Sequence, residues 1–193
     1  MTMTDPARSD ARERILSAAY DLFSQRGVRD VGVDELIGRS GVANATFYRH
    51  FPSKDDLVIA FLQRREQLWT LGTIVAQALE RAGTAREQLL AVFDVFDEWF
   101  RRRDYEGDPF VNVLLEMGPK HALGHASLQH LDTVRRMIRQ HAEAAQLRDP
   151  ESFARSWQIL MNGSIVDARM GDIDAAKRAK AMASQLIEQH AAA

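Results

Sequence analysis

The sequence predicts an all-α protein of about nine helices, on three observations. Apolar residues recur at three- and four-residue spacing along nearly the whole chain. No alternating apolar and polar run of useful length lies between turn signals, and Gly or Pro stands near most of the points where a helical period breaks off. With 46% hydrophobic and 27% charged residues over 193 positions, the composition is that of a folded globular chain able to bury a sizeable core.

The elements follow in order. Between Asp10 and Gln25, Ile15, Ala18, Ala19, Leu22 and Phe23 fall on one face, and Gly27 marks the stop. Val33, Leu36 and Ile37 make a very short second helix that Gly41 closes, and Asn44 to His50 make the third. Ser53 with Asp56 three residues on has the N-terminal capping pattern, opening a long fourth helix through Phe61, Leu62 and Trp69 toward Arg81. After Gly83 and Thr84 an apolar fifth helix carries Leu89, Leu90, Phe93, Phe96, Trp99 and Phe100 into Arg101, Arg102 and Arg103, cations that suit a helix C-terminus. Gly107, Asp108 and Pro109 turn into a short sixth helix, Phe110 to Met117, ended by Gly118 and Pro119. Ala126 to Gln146 predict a seventh helix. Asp149, Pro150 and Glu151 open an eighth that runs to Gly171, and Asp172 or Asp174 opens a ninth that ends near His190.

Composition excludes several classes. The chain has no cysteine, hence no disulfide framework, thiolate metal site or cysteine nucleophile, which fits a cytoplasmic protein. No stretch has the apolar length of a membrane span, and residues 1 to 10 lack the apolar core of a signal peptide, so no membrane association is expected. A net charge of −2 gives no general attraction to nucleic acid, so any DNA binding has to be local; residues 1 to 65 hold ten basic against nine acidic side chains, a mild asymmetry that favours an N-terminal anion-binding face. There is no Gly-rich phosphate loop, no Glu-x-x-His pair and no nucleophile with its base. The chain is therefore expected to be no enzyme and to need no cofactor. His121 and His125 are four apart with Glu116 near, but Gly118, Pro119 and Gly124 interrupt the helix a metal site would need. They are read as exposed loop residues, with no metal.

Two short helices joined by a glycine turn and braced by a third form a helix-turn-helix unit, whose second helix can enter the major groove. Phe47 and Phe51 share an inward face. Thr46, Tyr48 and Arg49 then point elsewhere, and Tyr, His, Thr and Lys side chains suit phosphate oxygens.

Residues 11 to 60 resemble the DNA-binding domain of the TetR family of bacterial transcriptional regulators. The matching pieces are Ile15-Leu16 with Ala18-Ala19 and Leu22-Phe23, then Val33 to Ile37, then Gly41 through Leu57. The resemblance implies a helix-turn-helix domain over 1–54, ordered from about residue 10, and a helical effector-binding and dimerisation domain over 55–193. It implies that Thr46, Tyr48, His50 and Lys54 touch phosphates and that Asn44, Ala45 and Arg49 meet base edges, Arg49 suiting guanine and Asn44 adenine through bidentate pairs. The sequence departs from the family pattern at Ala43 and Gly32, each lacking a hydroxyl that would cap a helix or bind phosphate.

The resemblance further implies a homodimer on palindromic double-stranded DNA, a repressor released by a small-molecule effector with apolar parts. Ranked candidates for the effector pocket are Trp99, Phe96, Phe110 and Met117, with Asn112 orienting a polar group. The last two helices supply the expected dimer face: Phe153, Trp157, Leu160, Ser164, Ala168, Met182 and Leu186. The rival readings are a constitutive DNA-binding protein without effector and an all-α enzyme with an incidental helix-turn-helix.

Overall fold

In a computed structural model, which describes residues 6–191, the described residues form nine helices and no strand, with one isolated bridge between Leu147 and Ala191. The helices are α1 (Pro6–Arg26), α2 (Val33–Ser40), α3 (Asn44–His50), α4, α5 (Ala85–Phe100), α6 (Pro109–Met117), α7 (Ala122–Ala144), α8 (Pro150–Arg169) and α9 (Ala175–His190). Helix α4 runs without a break through Lys54–Arg65, Glu66–Val75 and Ala76–Arg81. Its middle stretch is wound in π turns, so that the Thr73 hydroxyl donates at 2.9 Å to the carbonyl of Leu68, five residues back. Periodicity in the sequence predicts one regular helix there and misses the wider winding.

The expected helix starts are visible as hydrogen bonds. Ser53 and Asp56 exchange bonds at the head of α4: the Asp56 carboxylate accepts from the Ser53 N–H at 3.0 Å and the Ser53 hydroxyl accepts from the Asp56 N–H at 3.1 Å. Asp149 accepts from the Ser152 N–H at 3.2 Å to open α8. Thr84 and Glu87 form a further capping box at the head of α5. Helix α9 begins differently: Asp174 makes no cap bond and instead binds Arg101 at 2.6 Å.

The helices gather into two compact units: residues up to Arg65 together with Pro109–Leu128, and Glu66–Asp108 together with the residues from Gln129 onward. In the first, Ile15, Ala19, Leu36, Phe47, Leu57 and Leu123 are wholly buried, each large side chain contributing roughly 1.5–3 kcal/mol through removal from water. Residues 55–65, assigned from sequence to the second domain, bury Leu57, Val58 and Phe61 in this N-terminal core. Helix α6 returns to the same core with Phe110 and Val113. At its C-terminal end the Glu116 carboxylate accepts from the N–H groups of Val28 at 2.9 Å and Arg29 at 3.1 Å, fixing the loop between α1 and α2. Gly27 sits under that carboxylate at φ +80, where a Cβ would overlap the Glu116 oxygen.

Helix α7 starts at Ala122, four residues earlier than its sequence period predicts, so His125 lies within it and His121 just ahead. Gly124 does not break the helix. It permits close backbone approach, since a Cβ there would overlap the Gly118 carbonyl.

The second unit is held by aromatic packing. Trp157, wholly buried on α8, stacks on Phe153 with ring centroids 5.1 Å apart and meets Phe93 of α5 at 5.3 Å. Ala175, Ala176, Ala179 and Ala183 line the buried side of α9 and allow its backbone close to its neighbours. The Tyr105 hydroxyl donates to the Ile165 carbonyl at 2.6 Å, tying the segment after α5 to α8.

Candidate nucleic-acid interface

The turn between α2 and α3 is set by Gly41, whose φ of 64 is left-handed and costs a glycine nothing. Its N–H closes α2 on the carbonyls of Ile37 and Gly38, at 3.1 and 3.4 Å, and its carbonyl accepts from Arg14 of α1 at 3.3 Å. Val42, buried, and Ala43 then lead into α3 with extended backbone at Ala43.

Helix α3 is anchored from one side. Phe47 is wholly buried and Phe51, the residue that caps the C-terminus, is 3% exposed, their rings 6.4 Å apart. The 3.6-residue period then forces Asn44, Ala45, Tyr48 and Arg49 outward, and all four are exposed, Tyr48 to 47%. Thr46, His50 and Lys54 are half-buried at the edges of that face. The seven residues expected at a DNA surface therefore lie on or beside one helix side, with apolar packing behind them.

Both doubtful positions behave as their side chains dictate. Gly32 and Ala43 are the N-caps of α2 and α3, and neither makes a side-chain cap bond. Electrostatics leave the face cationic. Arg26 is held by Glu35 at 2.6 Å, a pairing that raises its already high pKa, and Arg39 is held by Asp21 at 3.2 Å. Arg49 has no such carboxylate among the described residues, and α3 carries no acid in its first turn.

A buried-backed helix with an unneutralised polar side is the surface on which the chain can be compared with known proteins. The model of the bacterial regulatory proteins of the tetR family matches residues 15–61, the span from the core of α1 through Phe61. Residues 15–61 thus carry the DNA-binding domain of the TetR family. Among curated relatives, the HTH-type transcriptional activator FasR of Mycolicibacterium smegmatis is 36% identical over 100 residues, 52% of this chain and 44% of FasR. The uncharacterised HTH-type regulator YdgC of Bacillus subtilis is 33% identical over 91 residues, 45% of this chain and 46% of YdgC. The chain thus covers less than half the length of these relatives. Among solved structures, a putative TetR regulator from Streptomyces avermitilis is 26% identical with a TM-score of 0.81, covering 93% of this chain and 97% of that one. A TetR-family regulator from Streptomyces coelicolor, 24% identical, superposes with a TM-score of 0.86 over 94% and 96% of the two chains. TetR-family architecture thus extends over both units.

In the C-terminal unit the candidate residues separate. Phe96 and Trp99 lie in its aromatic core, 5.7 Å apart, with Trp69 and Tyr105 at 5.2 and 4.9 Å from Trp99. Phe110 and Met117 pack in the N-terminal core instead, and Asn112 is exposed on α6. Of the expected dimer residues, Phe153, Trp157, Ser164 and Ala168 are buried within the chain, Leu160 and Leu186 are half-buried, and Met182 is 55% exposed. Sequence reasoning passed over Ile159, Val166 and Met170, exposed to 72, 47 and 80%. With the exposed Gly163 they recur at spacings of four, three and four along α8 and its C-cap, a signal that was available but hidden by the larger aromatics nearby. His121 engages its own helix start, its Nδ1 accepting from the Leu123 N–H at 3.2 Å. Among the described residues no helix is long and apolar enough to cross a membrane.

Proposed function

We propose that the protein is a dimeric, sequence-specific DNA-binding regulator, a repressor that leaves a palindromic operator when a small apolar effector binds. The observation that carries this reading is the exposed set Asn44, Ala45, Tyr48 and Arg49 on a helix whose opposite side is locked by Phe47 and Phe51. Asn and Arg can pair bidentately with adenine and guanine edges, while Thr46, Tyr48, His50 and Lys54 grip phosphates and set the register. The absence of paired catalytic groups in the sequence supports a regulator rather than an enzyme.

Dimerisation supplies the second half-site. Ile159 and Val166 on α8, Met170 at its C-cap and Met182 on α9 are apolar and solvent-facing, a surface that a second copy would cover. Two recognition helices about 34 Å apart then read successive major grooves. The effector is proposed to enter the aromatic cluster of Trp69, Phe96, Trp99 and Tyr105, shifting the dimer toward a conformation with lower DNA affinity by its preference for that state.

The test is binding of the full chain to DNA from upstream of its own coding region, followed across a salt series, with Arg49→Ala and Tyr48→Phe. Relaxed discrimination at one base for the arginine variant and uniform weakening for the tyrosine variant are expected. Salt-insensitive or undetectable binding to every genomic fragment would sink the reading. A reporter under the bound promoter gives the sign of regulation: expression that rises on deleting the regulator marks repression, and expression that falls marks activation, as the name of FasR describes for that relative.

A further inference from the structure

Four described arginines of the N-terminal unit are held by carboxylates. Arg14, Arg26, Arg39 and Arg64 are tied to Asp10, Glu35, Asp21 and Glu13 at 3.5, 2.6, 3.2 and 2.5 Å. Arg12 is exposed on α1 and has no carboxylate partner among the described residues, yet its guanidinium is positioned: it lies 5.4 Å from the centroid of the Phe51 ring. That ring is itself fixed, 3% exposed, with its N–H bonded to the Phe47 carbonyl at 2.9 Å. Phe51 directly follows His50 and precedes Lys54 by three residues, at the junction of α3 and α4.

A guanidinium stacked on a ring uses its face, while its N–H donors lie in its plane and stay free for a planar or tetrahedral anion. Stacking also restrains a long side chain before any partner arrives, which lowers the entropy lost when it binds. We propose that Arg12 is a phosphate contact supplied by α1, held over Phe51 so that the DNA backbone is gripped at the α3–α4 junction from a third helix. The proposal rests on the DNA-binding reading above and adds a residue outside the helix-turn-helix pair. Arg12 fixes position and carries no base preference, because phosphates are the same at every step.

The experiment compares the full-length wild type with Arg12→Ala, Arg12→Lys and, as a control in the C-terminal unit, Arg136→Ala, an exposed arginine 3.8 Å from Asp132. Each is titrated onto the fragment the wild type selects and onto a scrambled fragment, from low to moderate salt, with thermal melts alongside. Arg12→Ala is expected to weaken both fragments alike, roughly three- to tenfold, and to flatten the plot of log affinity against log salt by about 0.9 per subunit. Arg12→Lys should keep most of that slope, and Arg136→Ala should change nothing. Wild-type affinity and slope in Arg12→Ala overturn the proposal, as does a lowered melting temperature with an unchanged slope, which marks Arg12 as a brace for Phe51 only. Wild-type protein that binds neither fragment defeats the DNA-binding reading together with the proposal; a binding wild type with an indifferent Arg12→Ala defeats the proposal alone.

Discussion

In the N-terminal unit the informative side chains are polar ones left outside a small aromatic core, whereas in the C-terminal unit they are apolar ones left outside a large one. On α3 the buried Phe47 and Phe51 determine which residues face out, and Asn44, Tyr48 and Arg49 are the remainder. On α8 the buried Phe153 and Trp157 do the same, and the remainder is Ile159 and Val166, with Met170 at the C-cap. The same helical period builds both surfaces. What differs is the partner each remainder suits: hydrated phosphates and base edges for the first, another apolar face for the second.

The contrast can be broken most severely at its foundation. Phe47→Ala empties a wholly buried site and should cost about 3–5 kcal/mol in urea unfolding followed by circular dichroism. A cost under ~1 kcal/mol would mean that α3 is held by something other than its inner face. On the other side, Val166→Glu places a charge on the exposed apolar surface. It should leave the monomer's unfolding almost unchanged while raising the dimer dissociation constant a hundredfold or more, about 2.7 kcal/mol, in sedimentation equilibrium. An unaltered association constant would take that surface out of the interface.

Smaller effects sharpen the comparison. Glu116→Gln keeps the shape but removes the charge that accepts from Val28 and Arg29, and should cost about 1–2 kcal/mol, with faster hydrogen exchange at those two amides. Tyr105→Phe, in the other unit, deletes the bond to the Ile165 carbonyl and should cost about 1 kcal/mol. It also changes the response to alkali. Burial raises the Tyr105 pKa above its ordinary value of 10.0, with Asp108 adding and Arg169 opposing. A folded-state pKa above the unfolded one gives stability that is complete below the unfolded value and lost as pH rises past it. The wild type should therefore weaken above about pH 10, and Tyr105→Phe should flatten that limb.

The N-terminal unit was legible because its signals are local. Gly41 closes α2, Ser53 and Asp56 cap α4, and Phe47 with Phe51 mark one side of a seven-residue helix, all within a few residues of where they act. The C-terminal unit was legible only as helices. Large aromatics such as Trp157 and Phe153 were read as interface residues, but helical period alone does not say which apolar side faces the chain's own core and which faces a second copy. Two details failed for different reasons, one of distance and one of backbone geometry. Glu116 acts on a loop 88 residues earlier in the chain, and Gly124 serves a backbone approach to Gly118 that looks, in sequence, like a helix breaker. The π winding of Glu66–Val75 leaves no mark that periodicity over so short a stretch can resolve.

The Glu116 carboxylate lying over Gly27 has an implication for how the chain can change over generations. Any side chain at position 27 meets both an unfavourable φ of +80 and the carboxylate, so a first substitution there has two penalties to overcome. Shortening position 116 first removes the obstruction at the expense of two hydrogen bonds, after which a residue tolerant of the left-handed region, such as Asn, could occupy position 27. The two sites are therefore coupled: a side chain at 27 has to displace the Glu116 carboxylate, the far end of a flexible side chain, and with it the two bonds that hold Val28 and Arg29.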